Sequence, residues 1–471
     1  MKNWICRNPL LTVLLLALAV RLLSLGLYPL MDTTEARYGY MAKLMVDTGN
    51  WLTPQFDLGV PFWGKPPLHT WMSAGSAAML GMTEFALRLP HWLAGLAVVG
   101  LVAWMARRQG ENPLLAAMVL ATCAIFSVAS GAVMTDMALT LGMTVAMLGF
   151  YLGWQGHYRA GYLGFAGLAI GLLAKGPLVI VLMGLAVAPW LLIQHGLGAF
   201  RVLWQRFPLL LGTCAMLVIA APWYLAAEQA TPGFLNYFLV GEHFLRFVES
   251  GWTGDLYGSA HDQPRGTIWL FWLAAALPWS LILPLLYLRG RRSQPSRQPA
   301  PSGWRSFLLC WLISPMVLFT MAGNILPAYV LPGIPALALL CASLAKDSDQ
   351  AWLAKVGVTM PVLLLVATGV LNLKVGDERS DKALLASEAN PALPLLYYGK
   401  RTFSGQFYSD GRAQKADLAR LNQQQGRYSL VMPSSQSWQQ LSLPRQSCRV
   451  QTVKLKRQLL ECGPDALASL D

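Results

Sequence analysis

Apolar stretches of about 20 residues recur along this chain, each long enough to cross a hydrocarbon core of roughly 30 Å as a helix. Spans are expected at about 9–29, 86–106, 113–131, 137–154, 160–174, 176–194, 207–226, 267–288, 306–322, 325–345 and 352–372, giving eleven and at most thirteen. The stretch 68–82 is apolar but short, and reads as re-entrant or interfacial. Only 13% of residues are charged, against roughly 25% in a soluble domain. Most of the chain therefore needs no water-facing surface. The net charge of +13 does not point to nucleic acid, because the basic residues sit in short loops between apolar runs rather than on one soluble face.

Those loops set an orientation. With the N-terminus inside, the inner loops hold fourteen basic residues, from Lys2 and Arg7 to Lys346 and Lys355, against the acids Glu111, Asp347 and Asp349. The loop RGRRSQPSRQPAPSG (289–303) is the strongest inside marker. Lys2, Arg7 and the apolar run from Leu10 look at first like a signal peptide. The run reaches about Tyr28 and no small-x-small cleavage site follows, so an uncleaved first span is expected. An odd number of spans leaves the C-terminus outside, together with two long loops, 30–85 and 227–266.

The chain divides into a membrane part, 1–372, and a polar tail, 373–471. In the tail, PLLYYG (394–399) and YSLVMP (428–433) read as strands and RAQKADLARLNQQ (412–424) as an amphipathic helix, which makes a small α/β domain. Cys448 and Cys462 can pair there if the compartment is oxidising. Cys123, Cys214, Cys310 and Cys341 lie in or beside spans and read as small core residues. No internal repeat suggests a transporter built from inverted halves.

The chemistry concentrates outside. Asp32 and Glu35 follow the first span directly, with Arg37, Lys43 and Lys65 near in sequence. Residues 33–47 have helical character, and Tyr38, Met41, Leu44 and Met45 mark an apolar stripe suited to the membrane surface. A carboxylate here can deprotonate an acceptor hydroxyl, and the cations can hold a phosphate leaving group. The plain alternative is a set of interfacial charges with snorkelling stems. Asp136 and Lys175 lie in short turns between apolar runs, where an ionisable group is costly and faces a cavity or a partner. In the second outer loop Glu242 and Arg246 are spaced for an intrahelical salt bridge. His243 and His261 are read either as metal ligands or proton carriers, or as plain polar residues. Tyr329 sits near the outer end of the Pro-rich span GNILPAYVLPGIPALALL.

MDTTEARYGYMAKLM, FWGKPPLHTW, the Asp136 turn, LLAKGPL, VGEHFLRF, SAHDQPRGTIWLFWLAAALPW and LPAYVLPGIPALALL occur in one order over about the first 345 residues. As an ordered set they resemble the bacterial aminoarabinose transferase group and, more broadly, the protein-mannosyltransferase-like superfamily. The resemblance implies a mostly α GT-C-like helical bundle. It also implies a glycosyltransferase that takes sugar from a polyprenyl-phosphate carrier at an extracytoplasmic site of the bacterial inner membrane, with inversion at the anomeric carbon. It gives Asp32 and Asp136 the place of catalytic acids. Arg37, Tyr38, Lys65, Lys175, Arg246 and Tyr329 take places around the donor phosphate and lipid, and Glu35, Glu242, His243 and His261 the surrounding region. For Glu242 and His243 both a divalent metal and a structural role stay open. Relatives often carry an acid before the Lys-Pro of the first loop, where this chain has Gly64, which weakens a metal site built on that acid. No nucleotide-binding glycine fingerprint is present, in keeping with a lipid-phosphate donor. The acceptor is left open among lipid A, another envelope glycan and a protein. The rival readings are a transporter or flippase of lipid-linked sugars and a non-catalytic envelope-assembly protein.

Overall fold

The computed structural model describes residues 8–249, 252–258, 261–291, 303–372, 376–441 and 446–464. Four of the basic orientation markers, Lys2, Arg7, Arg292 and Arg297, and the tail boundary at 373 lie outside the described residues. Among those described, six helices are long and apolar enough to cross a membrane: Glu84–Arg108, Asp136–Trp154, Leu178–Arg206, Leu209–Ala230, Pro327–Leu344 and Asp347–Val370. A seventh candidate is Thr267–Ala275 with Trp279–Arg289, bent by 85° at the break. Pro9–Ser24 and Trp304–Phe319 are apolar but shorter. Lipid-facing surfaces are visible as exposed aliphatic stripes, such as Leu210, Leu211, Val218 and Leu225 on Leu209–Ala230.

Eleven apolar stretches thus become fewer uninterrupted spanning helices, for local reasons. The stretch 113–131 breaks at Thr122 and Cys123 into Pro113–Ala121 and Ala124–Ala129. The stretch 160–174 becomes Tyr158–Lys175, whose four glycines and terminal charges dilute its hydropathy.

Those glycines have a packing role. A Cβ on Gly142 would lie 2.7 Å from the Gly167 carbonyl oxygen, and one on Gly149 would lie 2.5 Å from the Gly164 amide nitrogen. Helices Asp136–Trp154 and Tyr158–Lys175 therefore touch backbone to backbone, the close approach that small residues permit between membrane helices. The two are antiparallel, so the first residue of one and the last of the other, Asp136 and Lys175, share an end.

The loop 30–85 begins with the helix Thr34–Thr48. Its stripe of Tyr38, Met41, Leu44 and Met45 is buried against protein, in a cluster with Leu30, Ala74, Leu87 and Phe407, and not turned toward lipid as expected. Arg88, fully buried in the next membrane helix, fixes the turn before it. Its guanidinium donates to both Glu35 oxygens at 2.8 and 2.7 Å and to the carbonyls of Leu25, Tyr28 and Pro29. A small hairpin of β1 (Gln55–Asp57) and β2 (Val60–Pro61) follows, then helix Leu68–Leu80.

The tail holds a five-stranded sheet of β3 (Leu395–Tyr398), β4 (Ala413–Ala416), β5 (Tyr428–Pro433), β6 (Gln446–Val453) and β7 (Arg457–Pro464), ordered β4-β3-β5-β7-β6. The first three are parallel, and β7 and β6 join antiparallel. Both expected strands form. The expected helix over 412–424 does not: Ala413–Ala416 pairs with β3 as an edge strand, and only Leu418–Asn422 is helical, capped by Asp417. Cys448 and Cys462 face each other across β6 and β7 and form a disulfide. Cys123 and Cys341 are buried as expected, whereas Cys214 is exposed on its helix surface.

Candidate functional site

A cavity of about 550 Å³ opens where the loop 30–85, the ends of the glycine-packed helix pair, the loop 227–266 and the tail meet. Its walls bring together nine of the twelve residues singled out in the sequence: Arg37, Tyr38, Lys65, Asp136, Lys175, Glu242, Arg246, His261 and Tyr329. A second cavity of about 290 Å³ shares Lys65, Lys175, Glu242, Arg246 and Tyr329 and is otherwise mainly apolar, with Pro177, Leu178, Val181, Phe247, Leu318, Phe319 and Ala322. The shared side chains form a charged wall between a polar chamber and a greasy one.

Two ion-pair groups make that wall. Lys175 Nζ lies 2.6 Å from Asp136 Oδ1 and 4.6 Å from the Tyr329 ring centroid. Glu242 accepts from Lys65 at 2.9 Å and from Arg246 at 3.0 Å, and Arg246 also lies 3.3 Å from Asp255. Burial alone would raise the Glu242 carboxyl, but Lys65 and Arg246 hold it at about 2. Glu242, His243 and the start of Arg246 belong to a ten-residue π-helix, Asn236–Leu245, and its exit. Such windings recur at functional sites. This one rests on the Lys175–Gly176 turn. His243 Nδ1 lies 2.8 Å from the Phe238 carbonyl oxygen and Nε2 3.2 Å from that of Lys175. Gly176 sits at φ +83°, and a Cβ there would meet Phe238 at 2.6 Å. His243 therefore lies behind the wall, in the second cavity, with both ring nitrogens at carbonyls. Its imidazolium is disfavoured first by burial. His261 faces the first cavity, its imidazolium disfavoured by burial and by Arg246 and Arg37. Among the described residues no cluster of three or more His, Cys, Asp or Glu is arranged to hold a metal ion.

Asp32 and Glu35 are placed differently. Neither lines the cavity; Thr33 and Thr34 do. Glu35 is consumed by Arg88 and by the Val133 amide, and Arg88 brings its carboxyl below the usual range against the effect of burial. Asp32 accepts from the Phe403 and Ser404 amides, both at 3.1 Å, and from the Ser404 hydroxyl. Burial raises its carboxyl.

Sequence reasoning missed several wall residues. Asp57, Asp255 and Tyr257 lie in the outer loops, where their charge and ring were visible but nothing ranked them above neighbours. Tyr257 donates to the Pro61 carbonyl at 2.9 Å, and its own carbonyl accepts from Arg37 at 2.9 Å. Lys400, Arg401, Phe403 and Gln406 come from the tail, which carried no recognisable motif. Altogether six cations (Arg37, Lys65, Lys175, Arg246, Lys400, Arg401) face four carboxylates (Asp57, Asp136, Glu242, Asp255), an excess of two positive charges. Arg37 and Lys400 are the cations without a carboxylate partner among the described residues. The site is thus built to receive anionic groups.

Residues 4–238 match the dolichyl-phosphate-mannose-protein mannosyltransferase family. The undecaprenyl phosphate-alpha-4-amino-4-deoxy-L-arabinose arabinosyl transferase of Erwinia tasmaniensis is 33% identical over 331 residues, 68% of this chain and 56% of that protein. The Edwardsiella ictaluri protein of the same name is 32% identical over 317 residues, 65% of this chain and 54% of its own length. The chain thus spans a little over half the length of the curated relatives it matches. The crystal structure of ArnT from Cupriavidus metallidurans bound to undecaprenyl phosphate has a TM-score of 0.76, 20% identity and 98% coverage of both chains. Its apo form gives 0.74.

Proposed function

We propose, from the premise that this chain is a multi-span membrane protein of the GT-C fold and belongs with the glycosyltransferases that use lipid-linked sugars, that it moves a sugar from a polyprenyl-phosphate carrier to an acceptor on the extracytoplasmic face. The observation that carries this reading is the shared wall: Lys65, Lys175, Arg246 and Tyr329 border both the polar chamber and the apolar one. A donor whose tail stays in lipid while its sugar meets a polar acceptor needs that junction, with its phosphate at the wall. The apolar chamber takes the first isoprenoid units and the polar chamber the sugar. The names of the relatives make undecaprenyl phosphate the carrier and 4-amino-4-deoxy-L-arabinose the first sugar to try.

The residues then divide the work. An acceptor oxygen attacks the anomeric carbon from the side opposite the phosphate, the bond from that carbon to the phosphate oxygen breaks, and configuration inverts. Negative charge grows on the departing lipid phosphate, where Lys65, Lys175 and Arg246 stabilise it more in the transition state than in the ground state. Asp136 holds Lys175 in place, and the tail roofs the chamber against water. An acceptor hydroxyl needs a base from the chamber carboxylates, whereas an acceptor phosphate, as on lipid A, arrives already deprotonated. The loop charges support an N-terminus in the cytoplasm and residues 373–471 as an extracytoplasmic domain.

The test is transfer of radiolabelled sugar from a panel of undecaprenyl-phosphate sugars to envelope extract by protein in proteoliposomes. Wild type is expected to transfer, and Arg246→Ala at equal folded yield to lose roughly a hundredfold or more. Movement of the labelled donor across the vesicle without transfer would replace this reading with a flippase.

A further inference from the structure

Asp32 was the first catalytic candidate in the sequence, yet its carboxylate is spent elsewhere. Oδ1 accepts two backbone N–H groups, Phe403 and Ser404, at 3.1 Å each, and Oδ2 accepts the Ser404 hydroxyl. Those amides begin the tail helix Phe403–Tyr408, and Thr402 accepts the third, from Gly405, at 3.0 Å. The first three amides of a helix have no partner within it, and here a residue 371 positions away supplies two of them. The contact continues inward. Ser404 Oγ accepts the Asp381 amide at 3.0 Å, and the Asp381 carboxylate holds Tyr397 of β3 at 3.0 Å and Arg457 of β7 at 2.6 Å. Asp32 also donates its own amide to the Arg379 carbonyl at 2.7 Å.

Either side of this contact lies the chamber. Thr33 and Thr34 line it below, and Lys400, Arg401, Phe403 and Gln406 line it above. We propose that Asp32 is a positioning residue that latches the tail domain onto the chamber as its roof, and that the tail domain is part of the working site. It acts as a hydrogen-bond acceptor for the Phe403 and Ser404 amides and takes no part in proton transfer. This rests on the transferase reading for its activity arm only.

The two roles respond oppositely to one substitution. Asparagine keeps a side-chain oxygen for both amides and is as good a helix cap as aspartate, and its NH₂ can donate to Ser404 Oγ. A general base cannot survive the change. In the transfer assay Asp32→Asn is expected to stay within about threefold of wild type, while Asp32→Ala falls roughly tenfold, the scale of a lost cap. Hydrogen exchange over residues 399–408 of the full-length protein is expected to accelerate in Asp32→Ala and to stay near wild type in Asp32→Asn. Loss of activity in Asp32→Asn equal to that in Asp32→Ala, with exchange unchanged, would overturn the proposal in favour of chemistry by the carboxylate. So would full activity in Asp32→Ala. If Asp32→Ala does not accumulate, Asp32→Ser shortens the acceptor and leaves Ser404 with its Asp381 amide; faster exchange supports the latch and wild-type exchange overturns it. If wild type transfers no sugar at all, the transferase reading fails, and the exchange comparison still decides the latch.

Discussion

Lys175 Nζ lies 2.6 Å from Asp136 Oδ1 although 39 residues separate them, because backbone contact between their two helices brings the start of one beside the end of the other. Both side chains are nearly buried. Removing one partner of such a pair leaves an uncompensated charge and costs about 3–5 kcal/mol. Asp136→Asn and Lys175→Met are each expected to lower the unfolding temperature in detergent. The double variant should recover much of that loss, since no buried charge remains unpaired. On the transferase reading, transfer should stay lost in the double variant, because one of the three cations at the shared wall is gone. Recovery of transfer together with stability would mean that the pair is structural only.

The same helix contact gives a second expectation. Gly149→Val adds a side chain where a Cβ already meets backbone at 2.5 Å, and backbone cannot step aside as a flexible side chain can. The helices must part. The variant is expected to lose most monodisperse protein on gel filtration, whereas Gly100→Ala, with open space around its Cβ, should behave as wild type. Equal yields would show that the glycine contact does not set the helix spacing.

These cases show what could be read from the chain. Asp136 and Lys175 were legible because an ionisable group between apolar runs has few reasons to be there, and the other seven site residues through their places in the ordered motifs. Asp32 and Glu35 were marked by the cations beside them and by the same motifs, but sequence position could not say which way each side chain turns. Glu35 turns inward to Arg88, and Asp32 turns to a helix that begins 371 residues later. The roof residues were illegible for that reason too: Lys400 and Gln406 reach the chamber only through sheet topology and docking. The edge strand Ala413–Ala416 was misread as helix because Arg412, Lys415 and Arg420 mimic an amphipathic period, while parallel pairing with β3 decides its state. The helix break at 122–123 was likewise hidden, since uniform hydrophobicity carries no signal for a bend, whereas the break at 276–278 is marked by Pro278, which hydropathy alone passes over.

Acid should act on the wall through Glu242. Its carboxyl is held at about 2 by Lys65 and Arg246, below its ordinary value of 4.5. Its contribution to stability is therefore complete above about pH 4.5 and is lost as pH falls toward 2. Between pH 4.5 and 3 the wild-type unfolding temperature should drop more steeply than that of Glu242→Gln, which cannot titrate there. The variant should be less stable than wild type at pH 7, having left Lys65 without a carboxylate and Arg246 with Asp255 alone. Parallel slopes for the two proteins would show that Glu242 does not carry this titration.

The charge excess makes the last prediction, about the acceptor. The six wall cations exceed the four carboxylates by two, and a polyprenyl-phosphate sugar brings one negative charge in its phosphodiester, which an amino sugar offsets with its ammonium. At least one positive charge is left for something else. Lys400 is suited to meet it, because it comes from the tail and lines only the polar chamber, and no carboxylate pairs with it among the described residues. On the transferase reading, Lys400→Ala should raise the acceptor KM by about tenfold, the scale of one charge-assisted contact, with little change in kcat or in donor KM. The same variant should show weaker dependence of acceptor KM on salt between 50 and 300 mM, since screening acts on the interaction it has lost. A raised donor KM instead would move Lys400 to the donor side. An unchanged acceptor KM would leave the extra positive charge to Arg37, which faces the chamber with its guanidinium bound to the Tyr257 carbonyl at 2.9 Å.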